Sequence, residues 1–302
     1  MLDSLRLFVQ LSRPLFLIGG ALVYALGVGM ARYLGADIDW STYLLGQAIV
    51  TLLQLSAHYL NEYFDSTVDE DNPHRTPFSG GSGAIGTGKL SRQTVLLAAT
   101  TTLAIFASLI VILIGRGSAS PLVITILALG FLGAFFYSVP PVSLARSGYG
   151  ELTTSIIVAN LVPTFAFILQ YGDYHRLLAM STFPLTALHL AMMLVFELPD
   201  YGSDLRHGKR TLLIRLGWER GMGLHNLLIL SAFLLLGIAA NYGLPIQIAL
   251  SGFLPLPLGV VQIVQMRRIA SGAKPNWTTL GLMAVALFAS EAYFLAFAFW
   301  TR

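Results

Sequence analysis

Long uninterrupted runs of apolar residues alternate with short polar stretches along the chain. Each run holds about 18–25 residues, the length that an α-helix needs to cross the hydrocarbon core of a bilayer. The runs are continuous and lack the period-two alternation of a membrane β-barrel, so the pattern predicts an all-α, polytopic membrane protein whose helices surround a central cavity. Nine spanning helices are predicted, over residues 14–33, 41–61, 93–115, 120–138, 150–170, 177–198, 221–241, 244–266 and 278–299.

The composition agrees with this class. The 302 residues have a mean hydropathy of +0.71, and only 11% are charged, whereas soluble domains carry about 25% charged residues. The chain has no cysteine, which excludes disulfides and thiolate chemistry. The isoelectric point near 9.2 is typical of basic cytoplasmic loops in a membrane protein, so we expect a lipid bilayer and no nucleic acid among the partners.

The basic residues predict an orientation. With the N-terminus inside, all but four of the 18 Lys and Arg residues face the cytoplasm, as the positive-inside rule requires. No removable signal peptide is recognised. The two longest polar segments, about 62–92 and 199–220, then lie on the cytoplasmic side. We expect them to cap an active site that faces the cytoplasm, within one domain over residues 1–302.

Two acidic clusters open those polar segments. The first reads NEYFDSTVD over residues 61–69, and the second reads ELPDYGSD over residues 197–204. A spacing of four residues places side chains on one face of a helix, and carboxylates near a bilayer need a compensating cation. Oxygen ligands and a diphosphate are typical of Mg²⁺ sites. The predicted catalytic metal ligands are Asp65, Asp69, Asp200 and Asp204.

Basic and amide side chains beside the clusters suit a diphosphate, because cations bind phosphate oxygens through charge-assisted hydrogen bonds. The predicted diphosphate-binding residues are Asn61, Arg75, Arg206, Lys209 and Arg210. Tyr63 and Tyr201 lie next to the acidic residues and are candidate substrate contacts. A plainer interpretation is that these are solvated charges at helix ends, but two matched clusters on one side favour a shared metal–diphosphate site.

These motifs resemble those of the UbiA superfamily of intramembrane prenyltransferases. That family carries an Asn-Asp-x-x-Asp-x-x-x-Asp motif after its second helix and an Asp-x-x-x-Asp motif after its sixth. Here Glu62 replaces the first Asp, and its longer arm makes direct metal ligation doubtful. Tyr137, in the segment YSVPP over residues 137–141, belongs to a stretch similar to the family's loop after the fourth helix and is a third candidate substrate contact.

The resemblance implies a Mg²⁺-dependent transfer of a polyprenyl group from polyprenyl diphosphate to a small aromatic acceptor. The allylic diphosphate would ionise, and the acceptor would attack the carbocation. The motifs look most like the branch that includes 1,4-dihydroxy-2-naphthoate polyprenyltransferase, of menaquinone biosynthesis. The acceptors 4-hydroxybenzoate, homogentisate, haem, chlorophyllide and glycerol phosphate stay open. An ion-coupled transporter is a further alternative, which the position of the acids at helix ends disfavours.

Overall fold

The computed structural model describes residues 2–70, 72–86 and 89–302, without the side chains of residues 2 and 67–70. Within these residues the chain consists mainly of helices, which loops and turns connect. The helices are α1 (Leu2–Ser12), α2 (Pro14–Tyr33), α3 (Trp40–Glu70), α4 (Arg92–Gly115), α5 (Pro121–Ser138), α6 (Gly150–Ile156), α7 (Val162–Tyr171), α8 (Arg176–Glu197), α9 (Tyr201–Arg206), α10 (Leu212–Leu216), α11 (Trp218–Asn241), α12 (Ile246–Gly252), α13 (Leu256–Ala270) and α14 (Trp277–Trp300). A π-helical turn, Ile157–Leu161, joins α6 to α7.

Eight helical segments of the described chain are long and apolar enough to cross a membrane. They confirm eight of the nine predicted spans to within a few residues and establish an all-α polytopic fold. The ninth predicted span lies in α3, whose 31 residues extend about 46 Å. This helix carries Gln47, Gln54 and His58 in its apolar stretch, and it is not among the eight. The segments are Pro14–Tyr33, Arg92–Gly115, Pro121–Ser138, Gly150–Tyr171, Arg176–Glu197, Trp218–Asn241, Ile246–Ala270 and Trp277–Trp300.

Local sequence signals set the ends of several spans. Ser91, Ser120 and Asn276 each precede a helix and accept a hydrogen bond from a backbone N–H in its first turn, which satisfies a donor that has no partner within the helix. Pro121 follows Ser120 at the first helical position, where its missing N–H costs nothing. Gly172 ends α7 with a φ of 90°, a conformation that favours glycine.

The first and last spans are neighbours, which closes the bundle. Helix α14 packs against α2 and α8, and α2 also packs along α7. The indole Nε1 of Trp300 donates to the carbonyl of Ala25 at 2.8 Å. Gly27 allows α2 to approach α7 closely, because a Cβ there would lie 2.1 Å from the Pro163 carbonyl oxygen. One buried apolar core runs from α2 to α14.

The structure corrects the predicted capping loops. Residues 62–70 continue α3 as helix, because no glycine or proline occurs between Gly46 and Pro73 to end it. The first acidic cluster therefore stands on a helix, and the cap on that side begins near residue 72. The second segment is also partly helical, since it contains α9 and α10. The span predicted over 244–266 is interrupted at residues 253–255, where Pro255 cannot donate a helical hydrogen bond.

Candidate active site

Asp65 and Asp204 meet through Lys209. The Lys209 Nζ lies 3.1 Å from Asp65 Oδ2 and 3.5 Å from Asp204 Oδ1. The side chains are 6% exposed for Asp65, 7% for Asp204 and 11% for Lys209, so water screens this arrangement only weakly. The end of α3 and the short helix α9 are thus neighbours on the same side of the bundle, although about 140 residues separate their acids along the chain.

Asp65 has two further polar partners. Arg146 Nη2 donates to Asp65 Oδ1 at 3.1 Å, and Asn61 Nδ2 donates to Oδ2 at 3.2 Å. Asn61 and Asp65 lie one helical turn apart on α3, as the spacing predicts. No sequence pattern marks Arg146 as a site residue, because a contact across 81 residues leaves no periodic signal. Its place in the loop that resembles the family's loop after the fourth helix was the one available indication.

Burial raises the pKa of Asp204 above its usual range. The nearby Asp65 carboxylate raises that pKa further, whereas the Lys209 ammonium lowers it. A buried carboxyl group that also faces a like charge is costly to ionise. A further cation placed between these two acids would favour the ionised form of Asp204.

Asp200 holds residues 72–84, which we call the cap segment, against the start of α9. Asn72 Nδ2 donates to Asp200 Oδ1, and the backbone N–H of Gly80 donates to Oδ2 at 3.1 Å. Asn72 also accepts the backbone N–H of His74 at 2.9 Å. The segment 72–84 is therefore attached directly to the second acidic cluster. The side chain of Asp69, the remaining predicted ligand, lies outside the described residues.

The acids suit a cation that binds oxygen and shares its coordination with a ligand. Among the described side chains, no three His, Cys, Asp or Glu groups come together as a preformed metal cluster. Asp65 and Asp204 instead converge on one ammonium group. A pair of carboxylates that leaves most positions to water and phosphate oxygens is the arrangement typical of Mg²⁺ in phosphate sites. The residues present therefore fit a magnesium–diphosphate complex.

Glu62 attaches the cap segment, residues 72–84, to α3. It is 2% exposed and forms an ion pair with Arg13. Its Oε1 also accepts the backbone N–H of Ser82 at 2.6 Å, and its Oε2 accepts the Ser82 hydroxyl at 2.8 Å. Both carboxylate oxygens are thus used to hold the cap segment and the start of α2.

The three candidate tyrosines lie in different places. Tyr137 lies in the last turn of α5, within electrostatic reach of Glu151, Lys209 and Asp65. Tyr201 stacks edge-on against Trp218, with ring centroids 5.5 Å apart. Tyr63 points away from the site: it lies about 200° around α3 from Asn61, and the Arg92 guanidinium covers its ring at 4.7 Å.

The remaining predicted cations lie further out. Arg75 is exposed and lines a groove of about 480 Å³ between residues 74–76 and 274–278. Arg206 and Arg210 are also exposed, and the backbone N–H of Arg210 donates to the carbonyl of Arg146 at 3.2 Å. The structure therefore brings Asn61, Asp65, Asp204 and Lys209 together with Arg146, and it leaves Arg75, Arg206 and Arg210 at the rim.

The fold and these residues define a polytopic α-helical membrane enzyme with an acidic and basic site at one end of its helices. The chain belongs to the UbiA prenyltransferase family, whose sequence pattern matches residues 21–280. This confirms the family expected from the motifs.

Relatives with assigned names match most of the chain at low sequence identity. The 1,4-dihydroxy-2-naphthoate octaprenyltransferase of Mycobacterium tuberculosis is 28% identical over 222 residues, which are 72% of this chain and 72% of the relative. The enzyme of the same name from Escherichia coli is 24% identical over 218 residues, which are 70% and 69% of the two chains.

Solved structures share the fold. A UbiA homolog from Archaeoglobus fulgidus bound to GPP and Mg²⁺ has a TM-score of 0.63 at 16% identity, with 98% of this chain and 100% of that chain covered. The apo structure of a UbiA homolog from Aeropyrum pernix K1 has a TM-score of 0.64 at 14% identity, with 94% and 96% covered.

Proposed function

We propose that this protein transfers a polyprenyl group from polyprenyl diphosphate to 1,4-dihydroxy-2-naphthoate with Mg²⁺ as cofactor. The observation that carries the proposal is the meeting of Asp65 and Asp204 around one cationic group. Two acids from distant parts of the chain are costly to bury together unless a cation is bound there. The proposal is further supported by the Mg²⁺ and GPP bound to the Archaeoglobus fulgidus homolog.

The proposed roles follow from the contacts. Asp65 and Asp204 hold the metal, with Asp69 and Asp200 completing the two clusters. When bound, Mg²⁺ would neutralise the charge that develops on the departing diphosphate. Lys209 and Arg146 exchange their carboxylate contacts for phosphate oxygens, since both ammonium and guanidinium groups bind either anion. Asn61 orients Asp65 through its 3.2 Å hydrogen bond.

Tyr137 is proposed to contact the substrate on the membrane side of these residues. It stands at the end of α5, and its neighbourhood includes Lys209 and Asp65. An aromatic ring there would face the allylic carbon as positive charge develops, where a cation–π contact contributes about 0.5–2 kcal/mol. We further propose that Arg75, Arg206 and Arg210 guide the diphosphate inward from the rim.

The acceptor is proposed from the relatives. Those from Mycobacterium tuberculosis and Escherichia coli are named 1,4-dihydroxy-2-naphthoate octaprenyltransferases, which favours a naphthoate acceptor over the other aromatic and phosphate acceptors. We propose a single catalytic domain with nine spans, made of the eight segments above and α3. The N-terminus and the active site then face the cytoplasm, as the distribution of Lys and Arg predicts.

An acceptor panel tests the proposal. Purified protein is incubated with Mg²⁺, radiolabelled geranylgeranyl diphosphate and one acceptor at a time. The panel contains 1,4-dihydroxy-2-naphthoate, 4-hydroxybenzoate, homogentisate and glycerol 1-phosphate. We expect label to move into the naphthoate product and diphosphate to be released in equal amount. Label transfer to another acceptor alone would replace the acceptor assignment, and no release of diphosphate with any acceptor would refute prenyl transfer.

A further inference from the structure

Two glutamates that have no part in metal binding meet beside the active site. Glu151 is the second residue of α6 and is 3% exposed, and Glu197 is the last residue of α8. The two carboxyl groups lie close enough to interact electrostatically.

Both glutamates also bind the backbone of the same short segment. The N–H of Leu212 donates to Glu151 Oε1 at 2.9 Å, and the N–H of Leu213 donates to Glu197 Oε2 at 3.1 Å. The next N–H in the chain, that of Ile214, donates to the Thr211 hydroxyl. The first turn of α10 thus has its three leading donors satisfied by side-chain oxygens, as buried helix ends require.

These bonds anchor the residues that carry Lys209. We call residues 209–213 the basic segment. At its other end, the N–H of Lys209 donates to the Asp204 carbonyl at 3.0 Å, and the N–H of Arg210 donates to the Arg146 carbonyl at 3.2 Å. The backbone is therefore held at four points within five residues. A flexible Lys side chain bridges two acids in one geometry only if its backbone is fixed.

We propose that Glu151 and Glu197 are positioning residues, which hold the basic segment so that the Lys209 ammonium lies where it binds the diphosphate. The inference rests on the proposed function, in which Lys209 contacts the donor substrate. Glu151 and Glu197 act through Lys209 and touch neither substrate.

Donor kinetics test this role. Loss of a group that orients a site residue typically costs about 10- to 100-fold in affinity or activity, so Glu151→Ala and Glu197→Ala should raise the KM for geranylgeranyl diphosphate by at least tenfold. The acceptor KM should change little. Glu151→Gln should recover most of the loss, since the amide oxygen still accepts the Leu212 N–H. A Gln variant as impaired as the Ala variant would overturn the positioning role, because that role needs only an oxygen that accepts the Leu212 N–H.

A double-mutant cycle tests whether the effect passes through Lys209. If it does, Lys209→Met with Glu151→Ala should have the same donor KM as Lys209→Met alone. Effects that multiply would overturn the inference. Glu291→Ala is the matched control: this glutamate is 1% exposed in α14, lies outside the site and should leave the donor KM unchanged.

Hydrogen exchange tests the anchoring without any turnover. The amides of Leu212 and Leu213 should be protected in the native protein and should exchange at least tenfold faster in Glu151→Ala and Glu197→Ala. Glu291→Ala should leave them protected. Unchanged protection in both site variants would overturn the anchor. Native protein that transfers no prenyl group would refute the proposed function, while this exchange measurement would still decide whether the glutamates hold the basic segment.

Discussion

Replacing Lys209 by Met tests the link between the two acidic clusters. The change keeps the apolar length of the side chain and removes the ammonium that lies 3.1 Å from Asp65 and 3.5 Å from Asp204. Removal of one partner from a buried ion pair costs about 3–5 kcal/mol. The lower value applies here, because Arg146 still neutralises Asp65 and Asp204 can take up a proton.

The expected loss can be measured as a melting temperature. For a chain of this size, each kcal/mol lowers the melting temperature by about 2 °C, so Lys209→Met should melt roughly 6 °C below the native protein in Mg²⁺-free detergent solution. Adding Mg²⁺ should raise the melting temperature of the variant more than that of the native protein, because the carboxylates no longer have an ammonium partner and a bound ligand stabilises the folded state.

The comparison has a matched control. Lys274→Met removes an exposed lysine from the rim groove and should change the melting temperature by less than about 1 °C, since exposed charges contribute little to stability. If Lys209→Met melts with the native protein, or if Mg²⁺ shifts both proteins equally, then Asp65 and Asp204 do not form a shared cation site.

Three further predictions concern the same site. Arg146→Ala should lower stability by less than about 1 kcal/mol, because this side chain is 45% exposed in its pair with Asp65. The same change should raise the KM for the prenyl diphosphate about tenfold. Arg92→Ala is the control, and an equal rise of the KM in both variants would remove Arg146 from the diphosphate site. Glu62→Ala should release the cap at Ser82 and allow limited proteolysis within residues 79–84, and a cap as resistant as that of the native protein would show that Glu62 does not hold it. Chelation of divalent metal should abolish turnover and Mg²⁺ should restore it, whereas turnover that survives EDTA would refute a metal-dependent reaction.

The spans could be predicted because each signal is local. Continuous apolar runs and capping residues such as Ser91 and Ser120 need no tertiary information. The predicted end of this helix at residue 61 is too early, because it rests on the change from apolar to polar residues. The segment from Asn61 to Glu70 contains no helix breaker, and the helix continues at least to Glu70, three residues before Pro73. Polarity indicates where a helix leaves the membrane, whereas Gly and Pro indicate where it ends.

The site could be predicted only in part. The spacing of Asn61 and Asp65 indicates that they share a helical face, and the structure confirms that they are bonded. The contacts of Arg146 with Asp65 and of Glu151 with Leu212 join residues that are 81 and 61 positions apart. Such contacts depend on how the helices pack, which no local pattern encodes. Tyr63 shows the converse, because it lies within the motif in sequence but on the face of α3 opposite Asn61 and Asp65.

The position of the metal in a substrate complex decides whether the two acidic clusters bind metal around one diphosphate. We would crystallise the protein with Mn²⁺ and geranylgeranyl thiodiphosphate, a donor analogue that resists ionisation, and locate the metal by its anomalous scattering. We expect a metal about 2.1 Å from a carboxylate oxygen of Asp65 or Asp69 and a second or shared metal at the same distance from Asp200 or Asp204, with the diphosphate between the two clusters. A metal bound to one cluster alone, or a diphosphate bound elsewhere in the molecule, would contradict this expectation.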